Sequence, residues 1–291
     1  MRRIAGAVAL FGMLAAGAAL AQDAAIDIKL KKAGPGDVVK ETKTETTHQK
    51  VAVTVMGTAQ PSKEEKATAT FTYTDEVIEK PADAAKPTKL KRTYESADLT
   101  VDGQQQDLGL KGKTVLIEKK GDKYTFTTDG GPVEGKAAQL LGKEFSGKKQ
   151  TRDEDFLPGK PVKVGETWKI DVAKVAAELS ETGMTIDDKK SSASGKLTKV
   201  YDKGGKKFGV IEVVMDLVVT KLASGPQEVA LKDSKLTTTL VMDGCIDGTE
   251  ATGGGKMSMK GKLAGEIMNV AQIAVDVDVS MVGTTVQQNK K

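Results

Sequence analysis

Ile273-Ala274-Val275-Asp276-Val277-Asp278-Val279-Ser280-Met281 puts Ile, Val, Val, Val and Met at odd positions and two aspartates and a serine between them. Successive side chains of a strand point to opposite faces, so this stretch has one dry and one wet side. One-sided burial is the habit of antiparallel sheet; strands of parallel sheets are apolar throughout. The same period recurs upstream. Ile211, Val213, Met215, Leu217 and Val219 alternate with Glu212 and Asp216; Leu236, Thr238, Leu240 and Met242 share one face; and Met257, Met259, Leu263 and Ile267 alternate with Ser258, Lys260 and Lys262.

Turn chemistry separates these runs. Asp202-Lys203-Gly204-Gly205-Lys206 divides Leu197–Tyr201 from Phe208–Val219, and Lys119-Lys120-Gly121-Asp122 divides Thr114–Glu118 from Tyr124–Thr127. Gly and Asp tolerate the positive φ that tight hairpins need. Further strands are expected at Val38–Met56, Ala67–Ile78 and Leu90–Val101. Two stretches read instead as short helices. Glu134–Phe145 gathers Ala137, Leu140, Leu141 and Phe145 on one face, and Val172–Leu179 carries Val172, Val175, Ala176 and Leu179 at i, i+3, i+4, i+7 behind a capping Asp171. The expected fold is mainly β: a large curled antiparallel sheet of eight to ten strands, half-barrel or barrel-like, with two short helices on its concave face or at its mouth. A sheet this wide curls or splits.

The chain opens Met1-Arg2-Arg3-Ile4, runs apolar from Ala5 to Leu20 and reaches Ala19-Leu20-Ala21. This is the tripartite pattern of a secretory signal, with cleavage expected after Ala21. The expected organisation is therefore residues 1–21 as signal peptide and 22–291 as one β-rich exported domain, periplasmic or extracellular. The apolar core is short for a membrane anchor, and no later segment is long and apolar enough to cross as a helix. A membrane β-barrel needs aromatic girdles, and aromatics are 4% of this chain.

Charge and composition narrow the function. Loss of Arg2 and Arg3, with no acid, takes the formal charge from +4 to +2. Arg92 and Arg152 are then the remaining arginines. Bidentate reading of phosphate and guanine favours Arg over Lys, so nucleic acid is not an expected partner. Gly130-Gly131-Pro132-Val133-Glu134-Gly135-Lys136-Ala137 has the phosphate-loop spacing, but Ala137 replaces the magnesium-binding hydroxyl and Pro132 lacks an N–H; Gly112-Lys113-Thr114 has Asp107 where the first glycine belongs. Asp243, Asp247 and Glu250 surround Gly244 and Gly248 in what reads as ordinary turn chemistry rather than a calcium loop. His48 is the one histidine and Cys245 the one cysteine, which argues against zinc and against an internal disulfide. Asp153, Glu154 and Asp155, and Asp187 with Asp188, read as solvated loop acids. No catalytic, metal or cofactor-binding residue is expected, and no cofactor.

Asp155-Phe156-Leu157-Pro158-Gly159-Lys160-Pro161-Val162-Lys163-Val164-Gly165-Glu166-Thr167-Trp168 resembles a signature of uncharacterised secreted bacterial β-proteins, in which a Leu-Pro…Pro-Val-x-Val-Gly-acidic-x-Trp stretch precedes a strand and helix. Some of these resemble half-open barrels that carry lipids or lipoproteins in bacterial envelopes. The resemblance covers about fourteen residues and assigns no catalytic role. Read from the residues, two prolines fix an extended path and Trp168 plugs the interior.

The expected function is thus a non-catalytic exported binding or carrier module for an apolar ligand or lipid. Met215, Met242, Met257 and Met259, with Trp168, are the candidate lining, and Met281 shares their face; methionine suits an adaptable pocket and equally a plain core. The alternatives are a structural or protein-interaction module of the cell envelope, with an envelope protein as partner, and an enzyme whose chemistry needs neither His nor Cys.

Overall fold

A computed structural model describes residues 24–82, 84–145, 153–181, 183–224, 227–267 and 271–288. The expected signal peptide, residues 1–21, lies outside these, as does part of the segment Lys148–Lys163. The ten strands legible in the sequence all form: β1 (Val38–Val55), β3 (Lys63–Glu79), β4 (Lys89–Val101), β6 (Thr114–Lys120), β7 (Lys123–Thr128), β11 (Ser192–Lys203), β12 (Lys206–Ser224), β13 (Gln227–Cys245), β14 (Gly253–Ile267) and β15 (Ala271–Gln288). The sheet has 15 strands rather than eight to ten. The additions are β2 (Thr58–Ala59), β5 (Gln104–Asp107), β8 (Gly131–Pro132), β9 (Thr167–Lys169) and β10 (Met184–Ile186), each too short for a period of two to declare itself. The helices are α1 (Gly135–Phe145) and α2 (Val172–Glu181).

All named strand pairs are antiparallel, and the main path runs β8-β7-β6-β4-β3-β1-β15-β14-β13-β12-β11-β9. Two meanders therefore meet where the first strand pairs the last, from Val38↔Gln288 to Val55↔Ala271. The sheet does not close: its edges are β8 and β9, two and three residues long. Such short edges present little unpaired backbone.

The registers carry one face across the whole sheet. Ile211 faces Met242, Met242 faces Gly255, Gly255 faces Gly283, Gly283 faces Lys43, and Lys43 faces Phe71. Both helices cover this inner face. Among the described residues, α1 buries Ala137, Leu141 and Phe145 against Tyr73, Leu90, Tyr94, Val115 and Ile117 of the first meander. On the second meander, Val175 of α2 joins a core of Trp168, Ile170, Leu197, Ile211, Val213, Leu217 and Leu236, with Ile28 of the segment before β1. The outer face is mostly polar, with Lys260–Asp278 at 3.1 Å and paired threonines such as Thr44–Thr70 at 3.3 Å, though Val282 and Val286 are exposed on it.

Bulges keep this face intact where the simple alternation slips. On β4 the register jumps between Thr72↔Ser96 and Tyr73↔Tyr94, so Ala97 and Leu99 and then Tyr94, Arg92 and Leu90 all point inward. On β13 the slip falls between Lys232 and Lys235, with Asp233 at φ 48°. Buried Ser234 takes up the displaced backbone groups: its hydroxyl donates to the carbonyls of Lys232 and Ala264 and accepts from the Ala264 N–H at 2.8 Å.

Candidate functional site

Between the two helix-covered cores, the middle of the inner face is only half covered. Its rows run across β14, β15, β1 and β3 as Gly255–Gly283–Lys43–Phe71, then Met257–Met281–Glu45–Ala69, then Met259–Val279–Thr47–Ala67. Met259 still leans on the second core, whereas Met257, Val279 and Met281 lie beyond both cores and are half-buried. The far bank of this trough is polar: Lys43 and Glu45 pair at 3.2 Å on the inner face of β1, beside Thr47. Past them, Ala67 and Ala69 leave room, and Gly255 and Gly283 do the same at one end. The trough thus has a pliant apolar bank and a narrow polar bank carrying one cation and one anion.

The expected lining residues divide. Met215 is buried in the core and Met242 and Met259 pack partly against it, so these three help build the floor. Met257 faces the trough directly, as does Met281. Trp168 is buried with its indole across Gly195, where an added Cβ would collide with the ring, and its N–H donates to the Phe156 carbonyl at 2.8 Å. That places Trp168 within the second core as a plug, away from Met257 and Met281.

A second feature was not singled out by the sequence. Arg92 is 3% exposed. Its Nε and Nη2 donate to the two oxygens of Asp75 at 2.8 Å each, and its Nη1 pairs Glu144 of α1 at 2.9 Å. The guanidinium lies 3.7 Å from the centre of the Tyr73 ring, whose hydroxyl donates to Glu41 at 2.7 Å. Burial pushes the Glu41 and Asp75 carboxyls up; the Tyr73 hydroxyl opposes this at Glu41 and the Arg92 charge opposes it at Asp75. A pocket of about 180 Å³ opens here, lined by Glu41, Asp75, Arg92, Glu144, Lys80 and Phe145 among others. The partners of Arg92 lie 17 and 52 residues away in sequence, so only the fold reveals them.

The remaining candidates resolve into structure. Asp247 accepts from the Lys207 N–H at 2.8 Å, the Thr249 N–H at 2.9 Å and hydroxyl, and the thiol of buried Cys245 at 3.1 Å. The Thr249 hydroxyl first, then these other donors, hold its carboxyl well below the usual carboxylate range. His48 pairs Glu64 at 2.8 Å on the outer face. Asp187 turns back on Lys189 and Lys190, and Asp155 pairs Lys174. Of the phosphate-loop lookalike, Gly131 and Pro132 form strand β8.

No protein-family model matches the chain, and no curated protein matches it. Among solved structures, the lipovitellin of a study of lipid–protein interactions is similar over 88% of this chain at 8% identity, with a TM-score of 0.40. The chain spans 25% of that protein's length. The outer membrane protein OprG from Pseudomonas aeruginosa is similar over 89% of this chain and 100% of its own, at 10% identity and a TM-score of 0.18. Likenesses this distant carry no argument about function.

Proposed function

We propose that this is a non-catalytic exported carrier whose half-covered trough holds an amphipathic lipid. One observation carries the reading. A sheet that buries both ends of its inner face under helices leaves Met257, Val279 and Met281 half-covered between them, with the Lys43–Glu45 pair opposite. An acyl chain against the methionines and valine would remove apolar surface from water at about 25 cal/mol per Å². Its headgroup would reach the ammonium, the carboxylate and Thr47 on β1. Methionine's unbranched, polarisable side chain adapts to chains of different length. The resemblance of the Leu157–Trp168 segment to secreted β-proteins, and the amino-terminal signal pattern, support an envelope setting for such a carrier. Binding of a fluorescent fatty acid tests it. Met281→Lys sets a charge on the apolar bank at a half-buried position that tolerates it, and should weaken binding by about tenfold or more while the thermal midpoint holds. Unchanged binding in the variant, or none in the wild type, would sink the reading.

A further inference from the structure

Among the described residues, three two-residue hairpin turns put both central residues at positive φ: Asp102-Gly103 at 49° and 80°, Gly204-Gly205 at 60° and 74°, and Met56-Gly57 at 47° and 80°. This mirror-image turn favours Asn, Asp or Gly at its first position, because there a Cβ crowds the following carbonyl, Gly has none, and short Asn and Asp side chains hydrogen-bond the local backbone. The first two turns obey the rule. The third places a methionine in the left-handed region, and Met56 is also 83% exposed. Strain and exposure both work against folding here, and Met56 contributes nothing to either core. Neither packing nor turn geometry accounts for a methionine here, and such an outlier points to a role outside the fold.

The surroundings say what. From Val51 to Ser62 the chain has no charged residue, whereas 29% of the whole is charged, and Lys50 and Lys63 bracket the run. Behind Met56, the odd positions of β1 (Val51, Val53 and Val55, the last itself exposed) lie in register with Val275, Ile273 and Ala271 of β15. The same face of β15 then continues through Val277 and Val279 to Met281 in the trough. This apolar row links the exposed tip to the proposed lipid site, and in its middle Val275 is buried in the second core.

We infer that the Val55-Met56-Gly57 tip docks shallowly into a lipid surface. A protein partner would need a far larger contact than one hairpin tip offers, since specific interfaces bury about 1,200 Å² or more in total. An uncharged, apolar finger flanked by lysines instead matches the boundary between headgroups and acyl chains. The inference rests on the carrier reading for its purpose, though the docking itself is separately measurable.

Met56→Asn is the decisive variant, because it installs the residue the turn prefers. The full chain is mixed with vesicles of phosphatidylethanolamine and phosphatidylglycerol and floated on a density gradient. Wild type should float with the lipid, and Met56→Asn should float about tenfold less while melting at a higher temperature. Equal flotation of the two, or wild type that stays in the aqueous layer because the tip serves a protein, overturns the inference. Fatty-acid binding in solution, measured on both proteins, separates the two ideas. If both bind the probe and neither floats, the docking tip fails and the carrier stands; if wild type floats and neither binds, the reverse holds.

Discussion

Glu41 shows how a single buried acid sets pH behaviour. Because burial raises its carboxyl, the folded protein keeps a proton that the unfolded chain releases near the ordinary value of 4.5. The contribution to stability is then full at acid pH and declines as pH rises from that value towards the raised one. Asp75 acts in the same direction. Glu41→Gln keeps a carbonyl acceptor for the Tyr73 hydroxyl and removes one titration. It should make the fall in melting temperature between acid and neutral pH shallower and raise the midpoint at neutral pH; an unchanged slope would mean that Glu41 is ionised at no cost. None of this was legible in the sequence, where Glu41 is one acid of an alternating polar run and Arg92 stands out only as a rare arginine. Trp168 was legible, as the largest apolar side chain available to plug a thin interior. The aperture it fills depends on Gly195, its partner on β11.

The long strands were legible because period two persists over six or more residues with glycine and aspartate turns between. Both helices were legible for the complementary reason, and each begins within a residue of the expected position. Bulges were not, since a slip such as that at Glu95 looks like lost alternation until β3 is laid beside it. The five short strands carry no pattern of their own. At this scale Arg92 fastens α1 to the sheet: Asp75 belongs to β3, Arg92 to β4 and Glu144 to the last turn of the helix. Arg92→Ala leaves Asp75 buried without its partner and frees that turn. The expected loss is about 3–5 kcal/mol of unfolding free energy in a denaturant titration, with faster hydrogen exchange across Gly135–Phe145. A loss below about 1 kcal/mol, typical of exposed ion pairs, would show that the network is decoration.

Across the whole molecule, the pairing of β1 with β15 makes one sheet of two meanders and places the polar bank of β1 against the apolar bank of β15. No reading along the chain could foresee that neighbour, because its residues lie more than two hundred positions apart. The inner face and its methionines were legible; which of them would be covered was not, because that depends on where α1 and α2 settle. The two helices end up over the wings and leave the junction half-covered from Val279 to Gly283. The central claim is that this opening is a container. Native mass spectrometry of the protein purified gently from its own envelope, followed by organic extraction, tests it most directly. A lipid bound at fixed stoichiometry, recovered in the extract and lost in Met281→Lys, is the result expected. A bare mass from gently handled protein would contradict the carrier and leave the trough as an unfilled seam between two cores.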